Sequence, residues 1–359
     1  MKSLPYYDDL TARQTIKLRE LIKTLPPFAK EFFRAIDSTT QVRTRIAYAY
    51  DLRVFFHFLI DENPAYRNYS VLDFKVSDLD KIESVDLEEY MEYLKVYISE
   101  EQHKHMQNTE QGVFRKMSAL RSFYGYFYKR QLIEKNPTLL VDMPKIREKE
   151  IIRLEADEVA SLLDFVEHGG DHLTGQKRAY YEKTKERDLA IITLLLGTGI
   201  RVSELVGLNI DDVDFRNNGL HLIRKGRKEM TVYFGNEVAD ALEQYIEGSR
   251  KLIIPKEGHE DALFYSMQRR RIGVQAVQNL VKKYAKEVTP LKKITPHKLR
   301  STYGTTLYQE TGDIYLVADV LGHKDVNTTK KHYAAMDDAR RRQAATAVRL
   351  RESMPEHEE

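Results

Sequence analysis

The sequence predicts a mainly α-helical chain of two domains, the first an all-helical bundle and the second a mixed α/β domain with a small antiparallel sheet. Three observations predict it. Apolar residues recur at helical spacing through most of the first 130 residues. Residues 136–153, NPTLLVDMPKIREKEIIR, then combine two prolines with alternating charges and no helical period, which reads as an extended connection. Beyond it, two short apolar runs at 220–224 and 230–234 flank the basic turn KGRKE, as in a hairpin. The domains are therefore expected at residues 1–137 and 154–359, with 138–153 joining them and the first 36 residues an N-terminal extension.

The elements follow in order. Leu18, Leu21, Ile22 and Leu25 share a helical face that stops at Pro26-Pro27. A stronger helix begins after residues 38–40 and ends at Asn63-Pro64, with Ile46, Tyr50, Val54, Phe55 and Phe58 on its apolar face and Arg43, Arg45 and Arg53 on another. Residues 85–97 repeat the pattern with acidic residues outside. Thr109 is placed to cap a third helix running to about residue 130, where Arg115, Lys116, Arg121, Lys129 and Arg130 interleave with Phe114, Leu120, Phe123 and Phe127. Such cations would suit a bundle laid against duplex DNA, although a solvated charged face explains the same pattern. In the second domain, helices are expected at 155–167, 187–196, 236–246 and 274–287, with residues 168–185 a polar loop insertion.

Composition narrows the classes. A hydrophobic content of 42% in 359 residues argues for folded domains with cores of their own. The 57 basic and 55 acidic residues leave a net charge of +2, so any cationic face must come from local clustering. Cysteine is absent, which excludes disulfides, thiolate metal sites and a cysteine nucleophile, and a reducing cytoplasm is the expected compartment. The opening MKSLPYYDDL has no signal-peptide core. The longest apolar run, 189–196, falls far short of the ~20 residues of a membrane span, so no membrane partner is expected.

Residues 294–336 gather the reactive side chains His297, Arg300, His323 and Tyr333 on short helices broken at Gly312 and Gly322. Arginine matches phosphate oxygens with a planar fork of donors, histidine passes protons near neutral pH, and a tyrosine hydroxyl can attack phosphorus. Carboxylates, the usual ligands of a metal-dependent phosphoesterase, are scarce here, and no metal or cofactor is expected. Earlier in the chain Arg201 follows the turn Gly197-Thr198-Gly199, with Glu204 one turn on as an ion-pair partner, and Lys225 lies in the hairpin turn. Singly, each residue has an ordinary explanation: a local ion pair, a loop lysine, a capping histidine, a packed tyrosine.

Taken together they resemble the tyrosine recombinase family. TGIRVSEL matches the family's first arginine box, with RKGRKE about two dozen residues later as its hairpin lysine. PHKLR matches the H-x-x-R box, VLGHKD the LGH box, and KKHYAAM the nucleophile segment. Tyr333 follows His323 by ten residues, where the family pattern has nine. The likeness extends to the N-terminal bundle, similar to the family's SAM-like core-binding domain, and is nearest to the Xer recombinases that resolve chromosome dimers. Total length and the insertion before KERDLAIITLLLGTGIRVSE resemble their single-protein streptococcal type.

The resemblance implies that Tyr333 attacks a DNA phosphodiester, forming a 3′-phosphotyrosine link. Arg201 and Arg300 would hold the nonbridging oxygens, His297 and His323 would hydrogen-bond the phosphoryl group, and Lys225 would protonate the leaving 5′ oxygen. It also implies double-stranded DNA with a specific site as partner, a homotetramer on two such sites, and control by a DNA translocase. The basic tail, with Ala339, Ala344, Ala347 and Leu350 near helical spacing, would dock on a neighbouring subunit or fold back in cis. His332 has no role in this scheme. A mobile-element integrase, a type IB topoisomerase and a catalytically silent DNA-binding protein are the alternatives.

Overall fold

The structure, a computed structural model, describes residues 6–99, 104–146, 152–224 and 228–322. The chain divides into two compact units, Met1–Lys149 and Glu150–Glu359. The basic tail after Met336 lies outside the described residues.

Among the described residues the first unit holds five α-helices: α1 (Tyr6–Lys23), α2 (Ala29–Ala35), α3 (Val42–Glu62), α4 (Ser84–Tyr93) and α5 (Glu110–Lys129). Pro26-Pro27, unable to supply backbone donors to a continuing helix, separates the first two. The core is aromatic, with Phe32, Phe56, Phe123 and Phe127 fully buried. Phe123 meets Phe32 edge-on at 5.2 Å and Phe127 at 5.0 Å, the arrangement that ring quadrupoles favour.

Two expectations for this unit are corrected. The helix expected over 85–97 stops at Tyr93, and β1 (Val96–Ser99) pairs antiparallel with β2 (Lys104–Gln107). The reason lies in KVYIS: Val96 and Ile98 project outward while Tyr97 between them stacks on Tyr93 at 5.3 Å, a period of two that β-branched residues favour. Second, the connection expected from residue 138 begins as part of the bundle. Pro137–Leu139 forms a 3₁₀ turn, with Thr138 fully buried and Val141 4% exposed.

The second unit holds α6 (Ala156–His168), α7 (Gly175–Thr198), α8 (Val202–Leu205), β3 (Val213–Asp214), β4 (Gly219–Arg224), β5 (Lys228–Tyr233), α9 (Asn236–Tyr245), α10 (Val274–Val288), α11 (Pro296–Thr311) and α12 (Ile314–Leu321). The apolar half of α7 is central: Ile191, Ile192, Leu194 and Leu195 have no exposed surface, and the helix packs on α6, α9 and α11. Its start is earlier than expected. Half of the supposed loop is helical from Gly175, because Lys, Arg, Glu and Ala favour helix, and Tyr181 anchors that turn by donating to the Val166 and Glu167 carbonyls at the end of α6. The three-stranded sheet runs β3-β4-β5, antiparallel, with Leu220 opposite Val232 and Leu222 opposite Met230. β3 was not expected.

At the chemical end of this unit, α11 and α12 stop at Gly312 and Gly322, both left-handed at φ +74° and +62°. Tyr308, Val317 and Leu321 form a small buried cluster, with Tyr303, Leu307 and Ile314 against it. Among the described residues no helix is long and apolar enough to cross a membrane.

Candidate active site

The site starts where α7 ends. Gly199 closes that helix at φ +62°, and a Cβ there would stand 2.4 Å from the Tyr303 ring and 2.9 Å from Leu321. Only glycine meets both demands. The turn delivers Arg201 to the start of α8, where the backbone N–H of Arg201 donates to Glu204 Oε2 at 2.8 Å. The same carboxylate accepts from Arg201 Nη1 at 2.8 Å, and Glu204 is only 5% exposed. One buried carboxylate thus fixes Arg201 twice, its Oε1 through the guanidinium and its Oε2 through the backbone N–H.

Arg300 arrives from α11. It is 4% exposed, and its two Nη groups donate to the carbonyls of Gly199 and Leu321. Arg201 Nη2 donates to the next carbonyl, that of Gly322, at 3.1 Å. Two arginines more than ninety positions apart in sequence therefore meet at the C-terminal end of α12, where unsatisfied carbonyls and the helix dipole favour cations. Arg201 keeps 39% of its side chain exposed, so one side of the pair is open to an incoming anion. His297 lies on the first turn of α11, three residues before Arg300 and on the same face, and is exposed.

A third guanidinium, not singled out in the sequence, belongs to the same cluster. Arg224, the last residue of β4, donates through Nη2 to the Val320 carbonyl at 2.8 Å, and its Nε is 3.7 Å from Glu204 Oε1. Three consecutive carbonyls, 320 to 322, are thus taken by arginines from three different elements. Burial pulls the Arg224 pKa below its ordinary value; Glu204 opposes that shift and Arg201 adds to it. The alternation of β4 carries the signal that would have found it: Leu220 and Leu222 point inward, so Arg224 does too. Lys225, His323 and Tyr333 lie outside the described residues.

Of the cations expected to meet DNA from the first unit, Arg43 is exposed on α3, and the Arg53 guanidinium lies 5.1 Å from the Tyr50 ring. Arg45 pairs with Asp37, and Arg115 with the buried Asp51. Lys116 and Arg121 make bonds within the unit. Lys116 is 7% exposed and donates to Asn108 Oδ1 at 3.0 Å, while Arg121 donates to the Thr138 and Val141 carbonyls at 3.1 and 2.7 Å. Those bonds explain why residues 137–141 fold onto α5.

Paired guanidiniums fixed at a helix end, with Arg201 partly exposed, are suited to an anion such as a phosphate ester. Residues 152–340 match the model of the phage integrase family. The tyrosine recombinase XerC of Caldanaerobacter subterraneus is 37% identical over 347 residues, covering 92% of this chain and 89% of that one. The tyrosine recombinase XerD of Oceanobacillus iheyensis is 31% identical over 295 residues, covering 78% and 92%. In fold, the chain is similar to the XerH site-specific recombinase bound to its palindromic difH substrate (TM-score 0.61, 19% identity, 85% and 79% covered). It is equally similar to the Tn1549 transposon integrase in complex with circular intermediate DNA (TM-score 0.61, 21% identity, 87% and 97% covered). The chain belongs to the phage integrase family as a Xer-type tyrosine recombinase, and site-specific DNA breaking and rejoining is its activity.

Proposed function

We propose that this protein cuts one strand of its DNA site through Tyr333 and rejoins it to another, and that its task is to resolve chromosome dimers before cell division. The observation that carries the chemistry is the meeting of Arg201 and Arg300 at one helix end, with Arg201 open on one side. In the reaction the Tyr333 oxygen attacks the scissile phosphorus while His297 or His323 takes up the phenolic proton. The bond from phosphorus to the 5′ oxygen breaks, and Lys225 supplies the proton that oxygen needs. Negative charge growing on the nonbridging oxygens is met by Arg201 and Arg300, which exchange carbonyl partners for phosphate. Resealing reverses each step: a 5′ hydroxyl attacks, and the phenol leaves. The ester bond energy is conserved throughout, so no nucleotide cofactor is needed.

The chromosomal role is supported by relatives named XerC and XerD that match most of this chain. Duplex DNA with a specific site is the substrate, four protomers on two sites the working assembly, a DNA translocase the controlling partner, and the cytoplasm the compartment. The test is a nicked site that traps the covalent product. Tyr333→Phe should bind this DNA with parental affinity and form no adduct; an adduct surviving in that variant reassigns the nucleophile.

A further inference from the structure

We infer that Arg224 is a positioning residue of the reaction, holding the Arg201–Glu204 pair in a net cationic state so that Arg201 can take the scissile phosphate. The inference rests on reading Arg201 and Arg300 as the phosphate-binding pair. Arg201 and Glu204 by themselves cancel in charge, and a buried carboxylate that owns the guanidinium outright would compete with phosphate for it. Arg224 alters that balance. Its Nε lies 3.7 Å from the oxygen that accepts from Arg201, so one carboxylate is shared by two cations and the group retains a positive charge.

Packing alone does not account for an arginine here. Its side chain is 9% exposed, yet Nε and Nη1 have no hydrogen-bond partner among the described residues. Burying two donors without hydrogen bonds is unfavourable; a leucine here would avoid that cost but would forfeit the Val320 bond and the approach to the buried Glu204. Nη1 also stands 1.9 Å from where a Cβ on residue 322 would be, so the group lies directly over Gly322, whose left-handed backbone at φ +62° itself favours glycine. An expensive cation, lying over a glycine and placed against the arginine that meets substrate, has a function in the electrostatics of that arginine.

Single-turnover cleavage of a nicked site, with either an ordinary phosphodiester or a neutral methylphosphonate at the scissile position, tests this. Arg224→Met keeps the stem and removes the charge; it should slow cleavage of the phosphodiester about tenfold or more while leaving DNA affinity unchanged. On the methylphosphonate, which needs less charge compensation, the deficit should shrink to about threefold. Arg224→Lys should recover most of the phosphodiester rate. Equal losses on both substrates, or no loss on either, overturn the inference. Arg201→Ala, run in parallel, should also lose less on the methylphosphonate. If it does not, the reading of the arginine pair fails, and that outcome is distinct from a failure confined to Arg224.

Discussion

Replacing Glu204 by glutamine keeps the size of the side chain and removes the negative charge that orders the arginines. In the parent the carboxylate is 5% exposed, accepts two hydrogen bonds from Arg201 at 2.8 Å, and lies 3.7 Å from Arg224. Removing one partner of a buried ion pair costs about 3–5 kcal/mol. Two effects reduce that figure: Arg201 is 39% exposed and partly rehydrated, and the amide oxygen retains one of the two bonds. A loss of about 2–3 kcal/mol remains, which for a unit of some 200 residues lowers the melting midpoint by about 5–10 °C. Scanning calorimetry measures the shift. On the nicked site, adduct formation should fall at least about tenfold, because Arg201 loses the partner that fixes its angle. A midpoint within 1–2 °C of the parent, together with an unchanged adduct rate, refutes the reasoning.

Three further outcomes are expected. Burial lowers the Lys116 pKa more than Asp51 raises it, so its folded value lies below 10.5 and its contribution to stability is present above 10.5 but lost as pH falls through that lowered value. Lys116→Met should therefore be neutral or stabilising by about 1 kcal/mol at pH 7 and should remove the gain in stability that the parent shows as pH climbs toward 10.5; it should also leave the salt dependence of DNA binding unaltered. A weakened, less salt-sensitive complex would return Lys116 to the DNA face. Gly199→Ala meets both a left-handed backbone and a contact at 2.4 Å, and should lower stability by about 2–5 kcal/mol in urea unfolding; an unchanged midpoint would contradict the geometry. Chelation with EDTA should leave adduct formation intact, and strong inhibition would assign the charge compensation to a metal.

Much of this was legible because local rules carried it. Gly312 and Gly322 marked two helix ends correctly since a left-handed cap has few alternatives to glycine. The pairing of β4 with β5 was legible from two short apolar runs flanking a basic segment, and the buried half of α7 from its apolar run. What escaped depended on distant partners. Residues 137–141 look like a linker until Arg121 is seen to bind their carbonyls. The first half of α7 buries little beyond Tyr181 and Thr184, so no apolar stripe announces it. Arg224 reads as one more cation in a basic turn, and only strand parity and the approach of α12 make it an interior residue. The meeting of Arg201, Glu204 and Arg300 was expected from resemblance to a family; spacing alone left a local ion pair as the simpler account.

The small cluster under α12 has a dynamic consequence. Val317 and Leu321 group with Tyr308 and its neighbours on α11, and the far end of the helix is tied down by three side-chain donors to its carbonyls. A short helix held this way opens at lower free energy than the interior of α7, and its amides should exchange with deuterium sooner. A DNA phosphate that claims Arg201 and Arg300 withdraws two of those three donors from the helix end. Occupancy of the site and release of α12 are then linked reciprocally, so each favours the other by the same factor.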